Sequence, residues 1–184
     1  MKRGRDFVKR LAAVALATAV LCVCSWITVP FFLVPFTMQT FGVFCILLLL
    51  GGRSGTLAIA LYLLLGGVGL PVFSGFRGGI GILLGPTGGY LIGFLLIGVC
   101  CLLAEPFAQG SRKRLALVLA AGTILCYASG TIWFAALSAY EGEPQTAWAI
   151  LTMCVLPFIP ADAVKLALAL AICPRIKKAL RKMR

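Results

Sequence analysis

PADAVKLAL, residues 160–168, places an aspartate and a lysine three positions apart in a stretch that is otherwise uncharged. Eighteen uncharged residues, Pro144 to Ala161, precede the pair, and nine more, Leu166 to Pro174, separate Lys165 from the next charge. A segment of this length and polarity reads as a helix crossing a bilayer, which takes roughly 20 apolar residues. Inside it, one charge alone costs about 2.5 to 3.5 kcal/mol even on the most lenient insertion scale, so the two residues call for a function or a partner. Positions i and i+3 share a helical face, so Asp162 and Lys165 can point into one space. At a rise of ~1.5 Å per residue, Lys165 stands ~13 Å from the inner end of its helix, well within the membrane. The alternative is a buried ion pair that only locks helix packing. Such pairs rarely stabilise relative to apolar packing, so the pair is read as a functional site.

The rest of the sequence agrees with the membrane reading. The chain has 184 residues, 61% hydrophobic and 12% charged, with a mean hydropathy of +1.07. That is far more apolar than a soluble domain of this size. Uncharged runs cover 11–52, 54–76, 78–104, 115–140 and 144–161. Each can hold one membrane helix, and the first can hold two short ones. The expectation is an all-α polytopic membrane protein, one domain over 1–184, with six transmembrane helices.

The net charge of +12 does not point to nucleic acid, because of where the charge lies. Fifteen of the 17 basic residues fall in four segments: Lys2 to Arg10, Arg53, Arg112 to Arg114, and Arg175 to Arg184. These alternate with segments nearly devoid of Lys and Arg, and the positive-inside rule makes all four cytoplasmic. Both termini are therefore expected in the cytoplasm, and the basic C-terminal tail is read as a topology signal before a lipid-binding patch. The eight cysteines lie within or beside apolar spans, without metal-ligand spacing. They read as small packing residues. With no histidine in the chain, His-based catalysis and His-ligated metals are excluded.

Spans are expected at about 7–29, 39–50, 56–70, 86–104, 115–140 and 146–173. The first begins like a signal peptide but continues past a typical h-region without a convincing cleavage site, so it reads as uncleaved. It carries Ala13 and Ala17, and overlapping them Ala15 and Ala19; small residues four apart let a second helix approach closely. Internal packing and a partner protein explain that spacing equally well. Pro30 and Pro35, in PFFLVPFTMQT (30–40), interrupt the helix after the first span. GGRSG, residues 51–55, turns the chain at the cytoplasmic face. Residues 69–94 contain nine glycines in 26 positions, a density that implies positive φ angles and close backbone approach. That segment is too apolar for a floppy linker and reads as an external lid over a ligand, across 70–85. The Gly89-xxx-Gly93 spacing again permits close helix contact. EGEPQ, 141–145, is an external turn, and the last span is expected to kink at Pro157 and Pro160.

Two catalytic patterns fail. Gly52-Arg-Ser-Gly55 matches the nucleophile motif of intramembrane serine proteases but has no histidine to act as base. No GxxxxGK[ST] occurs, so the chain has no ATP site of its own. Uphill transport would need a gradient or another polypeptide.

VPFTMQT, GLPVFSGFRGG, LLGPTGGYLIGF and PADAVK, in this order and spacing, resemble the BioY family, the biotin-specific S-components of energy-coupling factor (ECF) transporters. The resemblance covers about residues 10 to 174. It implies the six-helix S-component fold, location in the cytoplasmic membrane, no catalytic activity and no cofactor. It also implies a high-affinity external biotin site, with a membrane T-component and two ABC ATPases as partners. Carried over by motif, Asp162 and Lys165 anchor the ureido ring. Gln39 and the loop containing Gly75, Gly78 and Gly79 close over the ligand, and Tyr90 adds a wall and a hydroxyl. Arg77 either holds the valerate carboxylate or faces solvent. The Ala13/Ala17 face resembles the motif by which S-components dock on the T-component. A solitary proton-coupled carrier for biotin or a related small carboxylate is the alternative.

Overall fold

The computed structural model describes residues 2–29, 34–108 and 111–182. Pro30, the first of the expected helix breakers, lies outside the described residues, as does Arg184 at the end of the basic tail. Helix α1, Lys2–Trp26, leads into a two-residue strand, β1, Thr28–Val29, which pairs antiparallel with β2, Phe36–Thr37. Then follow α2, Gln39–Gly67; a short α3, Ile80–Leu84; α4, Gly88–Leu103; α5, Glu105–Ala108; α6, Arg112–Tyr140; α7, Ala147–Cys154; and α8, Phe158–Lys182.

α2 is not one rod. Gly51 has φ 79 and ψ 174, a left-handed conformation open to glycine but costly for other residues. There the helix doubles back. A Cβ on Gly55 would lie 3.2 Å from the Cα of Leu47, and the side chains of Gln39 and Tyr62, 23 residues apart, meet at 2.6 Å. In a straight helix those two residues would stand ~35 Å apart. The two arms, 39–50 and 52–67, therefore run antiparallel, and α1 lies along them through Thr18, whose hydroxyl donates to the Ala58 carbonyl at 3.1 Å.

Lipid tails are as apolar as leucine, so helices in a membrane associate through close packing and interhelical hydrogen bonds. The α4–α6 seam shows both. A Cβ on Gly89 would sit 2.3 Å from the Trp133 Cβ, and one on Gly93 2.5 Å from the Cys126 sulfur. Ser129 donates to the Gly89 carbonyl and Trp133 to the Gly85 carbonyl, each at 3.0 Å. The Gly89-xxx-Gly93 spacing serves helix contact, as its sequence suggests.

The chain is an integral membrane protein. Among the described residues, three helices are long and apolar enough to cross a membrane, and a fourth if α7 and α8 count as one bent span. That bend is 46° and falls at 155–157, at the expected Pro157 but not at Pro160. Pro160 sits in the first turn of α8, where a missing N–H breaks no intrahelical bond. A second departure from expectation is α3, a turn of helix within a segment whose glycine content reads as loop. Gly79, at φ 101, starts it and ties back through its N–H to the Gly66 carbonyl at 2.7 Å.

Candidate functional site

At the end of the bundle where α1 and α6 finish and α4 begins lies a cavity of about 760 Å³, its open mouth included. α8 supplies its charged floor. Asp162 and Lys165 are 6% and 5% exposed, and the Lys165 ammonium donates to Asp162 Oδ1 at 2.8 Å. Lys165 also donates to the Thr37 carbonyl on β2, at 2.8 Å, and sits 4.2 Å from the centre of the Phe36 ring. From α6, the Tyr127 hydroxyl donates to Asp162 Oδ2 at 2.6 Å.

These bonds leave a definite remainder. A carboxylate has roughly four lone-pair directions and an ammonium three N–H groups. Among the described residues each Asp162 oxygen accepts one protein hydrogen bond and Lys165 makes two. Among the described residues, acceptor capacity on each carboxylate oxygen and one N–H of Lys165, on the ammonium that also faces the Phe36 ring, have no hydrogen-bond partner. A polar group that carries both a donor and an acceptor can meet that remainder. The pair as a whole is neutral, so burying it avoids the cost of a lone charge.

Around this floor the polar side chains are held in place. Gln39 opens α2 and is buried; its amide nitrogen donates to Tyr62 at 2.6 Å and its carbonyl oxygen accepts from Thr37 at 2.9 Å. The Tyr90 ring lies against Gly130 of α6, where a Cβ would come within 2.2 Å of it. Its hydroxyl is buried and, like that of Thr131, finds no hydrogen-bond partner among the described residues. Arg77, at the mouth, is exposed, and its Nε donates to the Ser74 carbonyl at 3.3 Å.

The structure thus brings Gln39, Arg77, Tyr90, Asp162 and Lys165 to one cavity. Gly75, Gly78 and Gly79 do not line it; they shape the chain over it. Gly75 takes φ 70, and a Cβ on Gly78 would fall 2.1 Å from the Leu70 carbonyl oxygen. Phe73, 1% exposed, plugs this segment into α2 with its ring edge-on to Tyr62 at 5.4 Å. Ala13 and Ala17 do not form an outward pair: Ala17 is 7% exposed and part of the protein's own core. The overlapping Ala15 and Ala19 face outward instead. Tyr127, Thr37 and Tyr62 are the polar residues of the cluster that the sequence did not single out.

Comparison with known proteins places this geometry in context. Residues 1–182 match the BioY family. A biotin transporter BioY from Thermotoga maritima is 40% identical over 175 residues, covering 93% of this chain and 97% of that protein. A probable biotin transporter BioY from Pyrococcus horikoshii is 37% identical over 169 residues, 92% of this chain and 96% of the relative. The crystal structure of an S-component for biotin from an ECF-type ABC transporter superposes with a TM-score of 0.78 at 29% identity, over 95% of this chain and 93% of the other.

Proposed function

Because the chain belongs to the BioY family, we propose that it captures biotin as the S-component of an ECF importer. A membrane T-component and a pair of ABC ATPases would complete the machine. The observation that carries this reading is the hydrogen-bonding remainder of the Asp162–Lys165 pair. Biotin's ureido ring offers an N–H donor to the Asp162 carboxylate and a carbonyl acceptor to the Lys165 ammonium. Gln39 and Tyr90 flank the ring. Placing the ring deep is favoured because it carries most of the ligand's apolar area, and burial contributes ~25 cal/mol per Å².

The charges support the same orientation. Of the ionisable groups lining the cavity, Asp162 and Lys165 cancel and Arg77 remains at the mouth. A monoanion with a neutral polar head fits that arrangement, with its carboxylate at Arg77. Charge alternation puts the cavity mouth outside the cell and both termini in the cytoplasm, with the protein in the cytoplasmic membrane. A docking T-component would meet Ala15 and Ala19 on α1. The reading assigns the chain no chemical step.

Calorimetry of the purified protein with biotin, desthiobiotin and lipoate tests the site. Biotin and desthiobiotin, which keep the ureido group, should bind; lipoate, which lacks it, should bind at least about tenfold more weakly, ~1.4 kcal/mol. Lipoate binding as tightly as biotin would remove the basis for the assignment. Biotin uptake that rises only when a T-component and ATPases are co-expressed would support the importer over the solitary carrier.

A further inference from the structure

We infer that Trp26 is a positioning residue: it clasps the segment 71–77 over the cavity and so sets how fast ligand leaves. This rests on the biotin-site reading above. Trp26 is the last residue of α1 and does not line the cavity. Its indole N–H donates to the Pro71 carbonyl at 2.9 Å, and its ring stacks on Phe76 with centroids 5.0 Å apart and planes at 25°. The neighbours of Trp26 hold the same segment. Ser25 donates to the Val72 carbonyl, and the Thr28 and Ser74 hydroxyls lie 3.1 Å apart. The end of α1 and the start of β1 thus grip 71–77 at four points, and that segment presents Phe73, Ser74 and Arg77 to the cavity.

The backbone supplies an independent reason. Phe76 has φ 55, the one positive φ among the described non-glycine residues. Bulky side chains avoid that region and remain there only when their surroundings hold them. Phe76 is 64% exposed, so the core does not hold it; the turn closed by the Phe73 N–H on the Arg77 carbonyl at 2.9 Å sets its backbone, and the Trp26 ring covers its side chain. An interfacial tryptophan that merely anchors the protein at the headgroups would account for its partial exposure. It would not account for an N–H aimed at Pro71 or for a left-handed phenylalanine stacked beneath its ring. The clasp acts on the rate at which the roof opens and, through Arg77 and Ser74, on the fit of the closed roof.

The test uses the full chain in lipid nanodiscs, loaded with tritiated biotin and chased with unlabelled biotin. Trp26→Ala and Phe76→Ala should each speed dissociation by about fivefold or more, with association no slower than wild type, because lids of this kind gate ligand exit. The double variant should be no faster than Trp26→Ala, since both remove one contact, and Trp26→Phe should fall between. The number of sites per protein should not change; a merely structural role would lower that number and leave the rate of the remaining sites alone. Dissociation within about twofold of wild type in both single variants, or rates that multiply in the double, overturns the inference. Should Trp26→Ala not fold, Phe76→Ala, on an exposed loop, carries the test. If wild type binds no biotin, the functional reading fails, and hydrogen exchange in ligand-free protein decides on the clasp. Amides of 72–79 should then exchange about tenfold faster in Trp26→Ala, and unchanged exchange overturns it.

Discussion

The α4–α6 seam and the cavity that holds the Asp162–Lys165 cluster use adjacent residues of the same two helices, yet the seam and the cluster are held together by opposite means. Gly89 and Cys126 belong to the seam, and Tyr90 and Tyr127, next in the chain, line the cavity. The seam works by the absence of side chains on α4, which lets Ser129 and Trp133 of α6 reach its backbone carbonyls. The cluster joins Asp162 to Lys165, Tyr127 and Thr37, residues from α8, α6 and β2. It has charge where lipid-facing protein would have none. The first arrangement can be repacked; the second is hard to justify by packing at all.

Breaking the cluster should have the largest effect. Lys165→Ala leaves a buried carboxylate without its cation, a change that typically costs 3–5 kcal/mol, so both thermal stability and biotin affinity should drop. Asp162→Asn should weaken biotin binding at least about tenfold. Combining Asp162→Asn with Lys165→Met removes both charges and should restore much of the melting temperature while leaving binding lost. A double variant that regains binding as well would make the pair a structural feature like the seam.

The seam offers the next effect. Gly→Ala within an exposed helix normally stabilises by up to about 1 kcal/mol. Gly89→Ala should do the reverse, by about 1–3 kcal/mol of overpacking, because its Cβ meets Trp133 and the Ser129 carbonyl below 3.0 Å. Melting in detergent reads the sign, and a rise in stability would mean that α6 gives way easily. Smaller again is Tyr127→Phe, which deletes one hydrogen bond to a charged group, about 1.5 kcal/mol. A melting curve should show that loss of stability, and titration a loss of biotin affinity smaller than that of Asp162→Asn. Ala15→Leu should have the least effect on the isolated chain, since Ala15 is exposed: binding stays at wild-type strength while uptake with partner subunits falls. Ala17→Leu, by contrast, should lower stability, its site being core.

What was legible in the sequence follows the same division. Asp162 and Lys165 were readable as neighbours because two charges in an uncharged run leave few other arrangements, and i to i+3 spacing sets their contact. Gly51 to Gly55 was readable as a turn, and glycines four apart in α4 as a contact face. Tyr127, Thr37 and Tyr62 were not. Each is an ordinary residue in an apolar setting, and each partner lies far along the chain: 35 residues for Tyr127 and Asp162, 128 for Lys165 and Thr37. The face of α1 was illegible for another reason. In water an apolar stripe marks the buried side, but in lipid both sides are apolar, so Ala13/Ala17 and Ala15/Ala19 look alike until α2 is placed beside them.

The short first arm of α2 has an electrical consequence. Residues 39–50 rise ~18 Å, against a hydrocarbon thickness of ~30 Å. With Gly51 at one face of the membrane, Gln39 and the polar floor beside it lie ~12 Å beneath the other. A charge carried to that depth would cross about two-fifths of the membrane voltage, close to ~1 kcal/mol per 100 mV. A carboxylate held at Arg77, in the roof, would cross almost none of it. A ligand seated with its neutral ring down and its charge up would therefore be held equally well at any membrane potential, and an energised cell could load the site without working against its own field.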